Sequence, residues 1–310
     1  MKTALLFAGQ ATQYVGMGRH LWHQYPLARS YFERADAALG ETLTKTIFEG
    51  PEAELNRTEN TQPAVLTVAC AAHALLAERG FVPTVMAGHS LGEYSALVCA
   101  GALQFEDAVR LVRRRGAYMQ AAVPEGRGAM AAIQRLTPDV VADVCQKVDG
   151  YCEPAVYNAP KLVVISGETA AVAAASEALA DMRGIVIPLS VSAPFHCQLL
   201  QPAAERLAVD LAAVDFSALA APYISNIDAQ WHVTASPETI RENLVRQVVG
   251  AVRWRESISL MLERGIERFW HVGPGRSNLT HVKRQARRAP MATLDDEKEF
   301  RAILTELEDP

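Results

Sequence analysis

No apolar run in the sequence approaches the length needed to span a bilayer, and the opening Met1-Lys2-Thr3-Ala4-Leu5-Leu6-Phe7 is too short for a signal peptide. No membrane association is expected. Positive charge is not in excess either: 30 Lys and Arg against 35 Asp and Glu leave a formal net charge of −5. That argues against a general affinity for nucleic acid. Cysteine is scarce. The five present, Cys70, Cys99, Cys145, Cys152 and Cys197, are odd in number and lack CxxC spacing. Neither a zinc site nor a disulfide framework is expected, and a reducing cytoplasm fits. The eight histidines show no HExxH or other paired ligand spacing, so no metal is expected. There is no GxGxxG, no internal repeat and no low-complexity segment, so a dinucleotide cofactor is unsupported.

What is present is enough apolar material for a large core: 310 residues, 50% of them hydrophobic. The chain is organised around Thr84–Leu97. Thr84 to Ala87 reads as the end of a buried strand, and a segment with helical spacing begins at Leu91. Between them stands Gly88-x-Ser90-x-Gly92, the nucleophile-elbow pattern in its strand–turn–helix context. The glycines are needed because side chains two residues either side of so tight a turn would collide with backbone. Ser90 is left at a helix N-terminus, where free N–H groups and the dipole favour an oxyanion.

Upstream, a strand over Thr3–Phe7 runs into Ala8-Gly9-Gln10-Ala11-Thr12-Gln13, a glycine-bearing loop suited to a second oxyanion donor. One amphipathic helix is expected over Leu21–Leu39. Thr61-Gln62-Pro63 then precedes a core helix, Ala64–Glu78, apolar nearly all round. Helix, strand, turn and helix in this order indicate a parallel α/β sheet with its site at the strand C-terminal ends. In the next helix, Phe105 to about Ala122, Arg110, Arg113 and Arg114 share a solvated side. Arg115 instead falls in the apolar row Ala108, Leu111, Val112, Met119, Ala122. A guanidinium there must be paired, either with a structural carboxylate or with the carboxylate of a substrate.

After Pro124-Glu125-Gly126-Arg127-Gly128 the elements run β-α-β-β-α-β, the ferredoxin-like order. Residues 127–192 are expected to form a small subdomain inserted into a large domain of 1–126 and 193–310, with the ligand site in the cleft between them. His196 follows at the junction, in Ser192-Ala193-Pro194-Phe195-His196-Cys197. A serine nucleophile needs a base, and His196 is the best placed: His89 is fixed beside Ser90, and His20, His23 and His73 lie in helices without a cue. No local Asp or Glu announces itself as a third member. The remainder reads as a strand Pro222–Asn226, helices Pro237–Val248 and Ile258–Arg264, and a strand Arg268–Val272. A Gly273-Pro274-Gly275 turn, expected to bring backbone into the site, then leads into a basic helix.

These motifs together resemble the malonyl-CoA:acyl carrier protein transacylases of fatty acid and polyketide synthesis. The resemblance covers nearly the whole chain and rests on Gly9–Gln13, Gly88–Leu97, the helix around Arg115, Pro194-Phe195-His196, Val245-Arg246-Gln247 and Val272–Gly275. It implies an α/β-hydrolase-like core carrying the ferredoxin-like insertion. It implies that Ser90 takes a malonyl group from malonyl-CoA and passes it to the phosphopantetheine thiol of an acyl carrier protein, without a cofactor. His196 would act as base and then acid, backbone N–H groups of Gln10 and Leu91 as the oxyanion hole, and Arg115 as the bidentate clamp on the malonyl carboxylate. A main-chain carbonyl near Gln247 would orient the base, which explains the missing acid. The chain departs from the family pattern at Ala11, where glycine is usual, and at Val156, where asparagine is usual. It departs also at Phe195, where serine is common, and at Val249-Gly250-Ala251. Phe195 is similar to the malonyl-selecting acyltransferase domains of modular polyketide synthases. A hydrolase or editing thioesterase on the same fold would share Ser90 and His196 but has no need of Arg115. A catalytically silent docking module would need none of the three.

Overall fold

The apolar run Thr3–Phe7 forms strand β1, every residue of it buried, as a strand covered on both faces must be. The computed structural model describes residues 1–308, and β1 lies inside a six-stranded sheet. Its companions are β2 (Val85–Gly88), β7 (Tyr223–Ile224), β8 (Trp231–His232), β9 (Arg268–Val272) and β10 (Met291–Thr293). Their order is β10-β9-β1-β2-β7-β8, parallel throughout except for β8. Phe7 is in register with Gly88 on one side and Val272 on the other. Three loops, after β1, β2 and β9, therefore leave the sheet at one edge, the carboxyl edge where open α/β sheets bind ligands.

A second sheet is built from β3 (Gly128–Gln134), β4 (Cys152–Ala159), β5 (Leu162–Glu168) and β6 (Ile185–Pro188). Its order is β4-β5-β3-β6 with every neighbouring pair antiparallel. Helices Pro138–Lys147 and Thr169–Asp181 cover it, and Ile133, Val163, Ile165 and Leu179 close a small core of its own. Element order and strand order are those of the ferredoxin-like fold. No helix among the described residues is long and apolar enough to cross a membrane.

Two close backbone approaches position the site. A Cβ on Gly88 would lie 1.8 Å from the carbonyl oxygen of Gly92, so the elbow closes only with glycine there. A Cβ on Gly116 would lie 2.6 Å from the carbonyl oxygen of Thr58. Glycine at 116 thus lets helix Phe105–Ala122 press against the first turn of helix Thr58–Glu78, which sets Arg115 beside Gln62.

Several boundaries differ from the sequence reading. The core helix starts at Thr58 rather than Ala64, with Pro63 inside it and Gln62 and Thr61 buried. The single helix expected over Leu21–Leu39 is two, Arg19–Gln24 and Pro26–Leu39. Tyr25 between them is extended, since the ring of the following proline crowds the helical region of the residue before it. The strand expected over Pro222–Asn226 shrinks to Tyr223–Ile224, and the helix expected from Ile258 starts at Trp254. Helices Leu43–Glu49 and Glu297–Glu308 and strands β8 and β10 had no counterpart in the sequence reading.

Candidate active site

The loop after β2 holds Ser90 in the left-handed region, φ 52°, a conformation a non-glycine residue adopts only when its surroundings impose it. The restraints are visible. The Ser90 N–H donates to Asn226 Oδ1 at 2.7 Å, and Asn226 Nδ2 donates to the Gly88 carbonyl at 2.7 Å. One amide therefore pins both sides of the elbow. His196 is also left-handed, φ 60°, and almost fully buried. Its Nε2 lies 2.7 Å from Ser90 Oγ, and its Nδ1 lies 2.8 Å from the main-chain oxygen of Gln247.

That second contact settles the tautomer. A carbonyl oxygen only accepts, so Nδ1 carries the proton and the Nε2 lone pair faces the serine hydroxyl. Burial, reinforced by the Arg115 charge, lowers the imidazole pKa from 6.5 to about 3. The ring is neutral at physiological pH and free to take a proton. The third member of the arrangement is the carbonyl of Gln247, and no carboxylate replaces it.

Arg115 is 2% exposed. Its Nη1 donates to Gln62 Oε1 at 2.9 Å, and its Nη2 donates to Gln247 Oε1 at 2.8 Å and to Ser90 Oγ at 3.3 Å. The guanidinium also lies over the Tyr94 ring, 5.5 Å from its centroid. Both firm partners are neutral amides, and Arg115 joins none of the ion pairs among the described residues. Of the two partners left open by its spacing, a structural carboxylate is absent. The chain buries a positive charge beside its nucleophile with no carboxylate in direct contact, Glu93 reaching it only through the Gln247 amide, an arrangement that a ligand carboxylate would complete.

A cavity of about 580 Å³ joins these groups, lined from the large-sheet side by Gln10, Ser90 and Arg115 and from the small-sheet side by Met130, Val156 and Val191. Gln10 reaches it on the loop after β1, where its side chain donates to Thr58 Oγ1 at 3.2 Å. Leu91 is the fully buried N-cap of helix Gly92–Cys99, immediately after the nucleophile. Ser90, His196, Arg115, Gln10, Leu91 and Gln247 are thus brought to one place. The Gly273-Pro274-Gly275 turn is not: the cavity wall takes Ser277, Asn278 and His281 from the helix after it. Among the departures from the family pattern, Ala11 sits at φ 71°. This is a left-handed position where alanine costs about 1–2 kcal/mol and glycine nothing. Phe195 and Val156 both line the cavity, giving it apolar wall where the pattern has polar residues.

Sequence reasoning missed several supporting groups. His89 diverges from Ser90 as expected of neighbours in an elbow, but its partner went unread: its Nε2 pairs with Asn158 Oδ1 at 2.8 Å. Gln62 went unread because its helix was started after it. Glu93 is fully buried, 2.7 Å from Gln247 Nε2. A signal for it existed: a charge inside the apolar segment Leu91–Leu97, the cue that singled out Arg115.

The buried histidines make stability pH-dependent. Burial lowers His73 and His271 to about 4 and His281, like His196, to about 3, all from 6.5. In the unfolded chain these rings protonate as pH falls below 6.5, while in the folded chain they stay neutral, so acid draws protons to the unfolded state. Glu93 works the other way, since burial raises it to about 7 and favours the folded state in acid. Burial also lowers His20 and His89 and raises Asp36 and Asp295, so six histidines stand against three carboxyls. Denaturation midpoints should be steady above about pH 7 and fall progressively from pH 6.5 towards 4; a stability maximum near pH 5 would contradict this balance.

The acyl transferase domain family matches residues 4–298 of the chain. The malonyl CoA-acyl carrier protein transacylase of Escherichia coli is 44% identical over 279 residues, 88% of this chain and 89% of that protein. The Bacillus subtilis protein of the same name is 43% identical over 300 residues, 95% of this chain and 94% of that one. Among solved structures, the malonyl CoA-acyl carrier protein transacylase of Coxiella burnetii superposes with a TM-score of 0.96 at 38% identity, covering 99% of this chain and 98% of that one. A type II PKS acyl-carrier protein in complex with its malonyl-transacylase gives 0.95 at 39% identity, with 99% and 100% covered.

Proposed function

The chain belongs to the acyl transferase domain family, and we propose that it moves a malonyl group from malonyl-CoA to the phosphopantetheine thiol of an acyl carrier protein through an ester on Ser90. The observation that carries the acyl selectivity is Arg115, a buried guanidinium 3.3 Å from Ser90 Oγ with only neutral partners. His196 Nε2 takes the Ser90 proton as Oγ attacks the thioester carbonyl. Backbone N–H groups of Gln10 and Leu91 receive the developing oxyanion, with the N-terminus of helix Gly92–Cys99 behind them. The tetrahedral intermediate expels coenzyme A as thiolate, which recovers the proton from His196. The carrier thiol then repeats the cycle in reverse, leaving Ser90 free. No cofactor takes part.

The large domain of this reading comprises residues 1–126 and 193–310, with 127–192 as the ferredoxin-like subdomain that supplies the apolar side of the cleft. The five free thiols are compatible with a cytoplasmic enzyme. Transfer is separated from hydrolysis by following coenzyme A release with and without carrier protein. A transacylase stalls after one equivalent until carrier is added, whereas a thioesterase turns over in water.

An acidic carrier needs a local basic surface, because the chain is acidic overall. Of the two basic clusters in the sequence, Arg110, Arg113 and Arg114 are engaged, with Asp107, Glu41 and Asp210. Lys283, Arg284, Arg287 and Arg288 are exposed and outside every ion pair among the described residues. Reversing charge at Arg284 and Arg287 should raise KM for the carrier about tenfold at low salt and leave acylation by malonyl-CoA alone unchanged. Equal loss in both half-reactions would assign these residues to the fold.

A further inference from the structure

Glu93 is a fully buried carboxyl group outside the cavity lining, yet it bonds to two residues that organise the cavity. It sits in the first turn of helix Gly92–Cys99, three residues past the nucleophile. Its Oε2 accepts from the Asn226 N–H at 3.1 Å and from Gln247 Nε2 at 2.7 Å. Asn226 is the residue that pins the elbow, and Gln247 is the one that holds both the base and Arg115. A buried carboxylate is costly, and burial raises this one to about 7. A packing role alone would be met better by an apolar side chain.

The Gln247 amide has two orientations, and only one serves Arg115. As found, Nε2 donates to Glu93 and, at 3.0 Å, to the Ser90 carbonyl, while Oε1 accepts from Arg115 Nη2. Flipped, the amide would set N–H against the guanidinium and oxygen against two oxygens, and Arg115 would lose its seat beside Ser90. Glu93, in its ionised form, is the stronger of the two acceptors that forbid the flip, because its hydrogen bond is then charge-assisted. We infer that Glu93 is a positioning residue for acyl selectivity: through the Gln247 amide it holds Arg115 in place to receive an acyl group that ends in a carboxylate. The inference rests on the transacylase reading above and deepens it.

The test is the ratio of kcat/KM for malonyl-CoA to that for acetyl-CoA, measured with thermal melts for wild type, Glu93→Met, Glu93→Asp and Glu93→Gln. Met fills the space without accepting a strong hydrogen bond, Asp retains the charge but falls short of Gln247, and Gln can turn its oxygen to the same two donors. The ratio should fall about tenfold in Glu93→Met, by an intermediate factor in Glu93→Asp, and by no more than about threefold in Glu93→Gln. If the Met variant does not fold, the Asp and Gln pair gives the same ordering. Combining Glu93→Met with Gln247→Met should reduce the ratio no further than Gln247→Met alone, because both act through one amide. A folded Glu93→Met or Glu93→Asp that keeps the wild-type ratio overturns the inference. So does a parallel loss of malonyl and acetyl turnover, which marks a structural role, or a Gln variant that loses as much as Met. Wild-type protein without any malonyl preference would overturn the transacylase reading itself, and this inference with it.

Discussion

Replacing Ser90 by alanine should abolish acylation by malonyl-CoA, lowering transfer by about 10⁴-fold or more. The hydroxyl oxygen is the point where the site converges: it faces His196 Nε2 at 2.7 Å and accepts from Arg115 Nη2 at 3.3 Å. The imidazole removes its proton, and the guanidinium lies close enough to stabilise the alkoxide as it forms. Without the oxygen neither group has its partner, since among the described residues Ser90 Oγ is the hydroxyl hydrogen-bonded to His196 Nε2. The fold should survive, since the Asn226 bridge that shapes the turn uses the Ser90 backbone N–H rather than its side chain. A folded Ser90→Ala that still acquires a malonyl group would place the nucleophile elsewhere.

Arg115→Ala should invert acyl preference. Malonyl transfer should fall by two or more orders of magnitude, because truncating one partner of a buried charge pair costs about 3–5 kcal/mol and each 1.4 kcal/mol is tenfold. Acetyl transfer should hold or rise, since an acetyl group never used the guanidinium. The geometry sharpens this expectation: the direct partners of Arg115 are the neutral amides of Gln62 and Gln247, so its removal breaks no ion pair within the site. Arg115→Lys should recover only part, as an ammonium cannot present the planar fork that reaches Gln62, Gln247 and a ligand at once. Steady-state rates with malonyl-CoA and acetyl-CoA, beside thermal melts, separate selectivity from folding. A well-folded Arg115→Ala that still strongly prefers malonyl-CoA would refute the clamp.

The elbow was legible because its chemistry is local: strand, Gly-x-Ser-x-Gly and helix are contiguous, and the steric demand on Gly88 follows from the turn alone. Arg115 was legible as a buried charge, but its partners lie 53 and 132 positions away, so spacing left the choice between a structural and a substrate carboxylate open. The ferredoxin-like unit was readable because alternation and helical period change cleanly along it. Gln62 was lost to a boundary error, since Thr61-Gln62-Pro63 reads as a helix breaker until the packing at Gly116 shows the helix beginning at Thr58. Asn226 had no signal: its work is done by a side-chain amide two residues beyond the strand Tyr223–Ile224. Glu93 had a signal, a carboxylate in an apolar helix, overshadowed by the serine beside it.

Intact-mass measurement of the purified protein after incubation with malonyl-CoA, before and after addition of a phosphopantetheinylated acyl carrier protein, bears most directly on a Ser90 malonyl-enzyme that discharges to carrier. The expected result is one malonyl group on the wild-type chain and none on Ser90→Ala, with the label leaving the enzyme and appearing on the carrier once it is added. Label retained by Ser90→Ala, or label lost to water with none gained by the carrier, would contradict it.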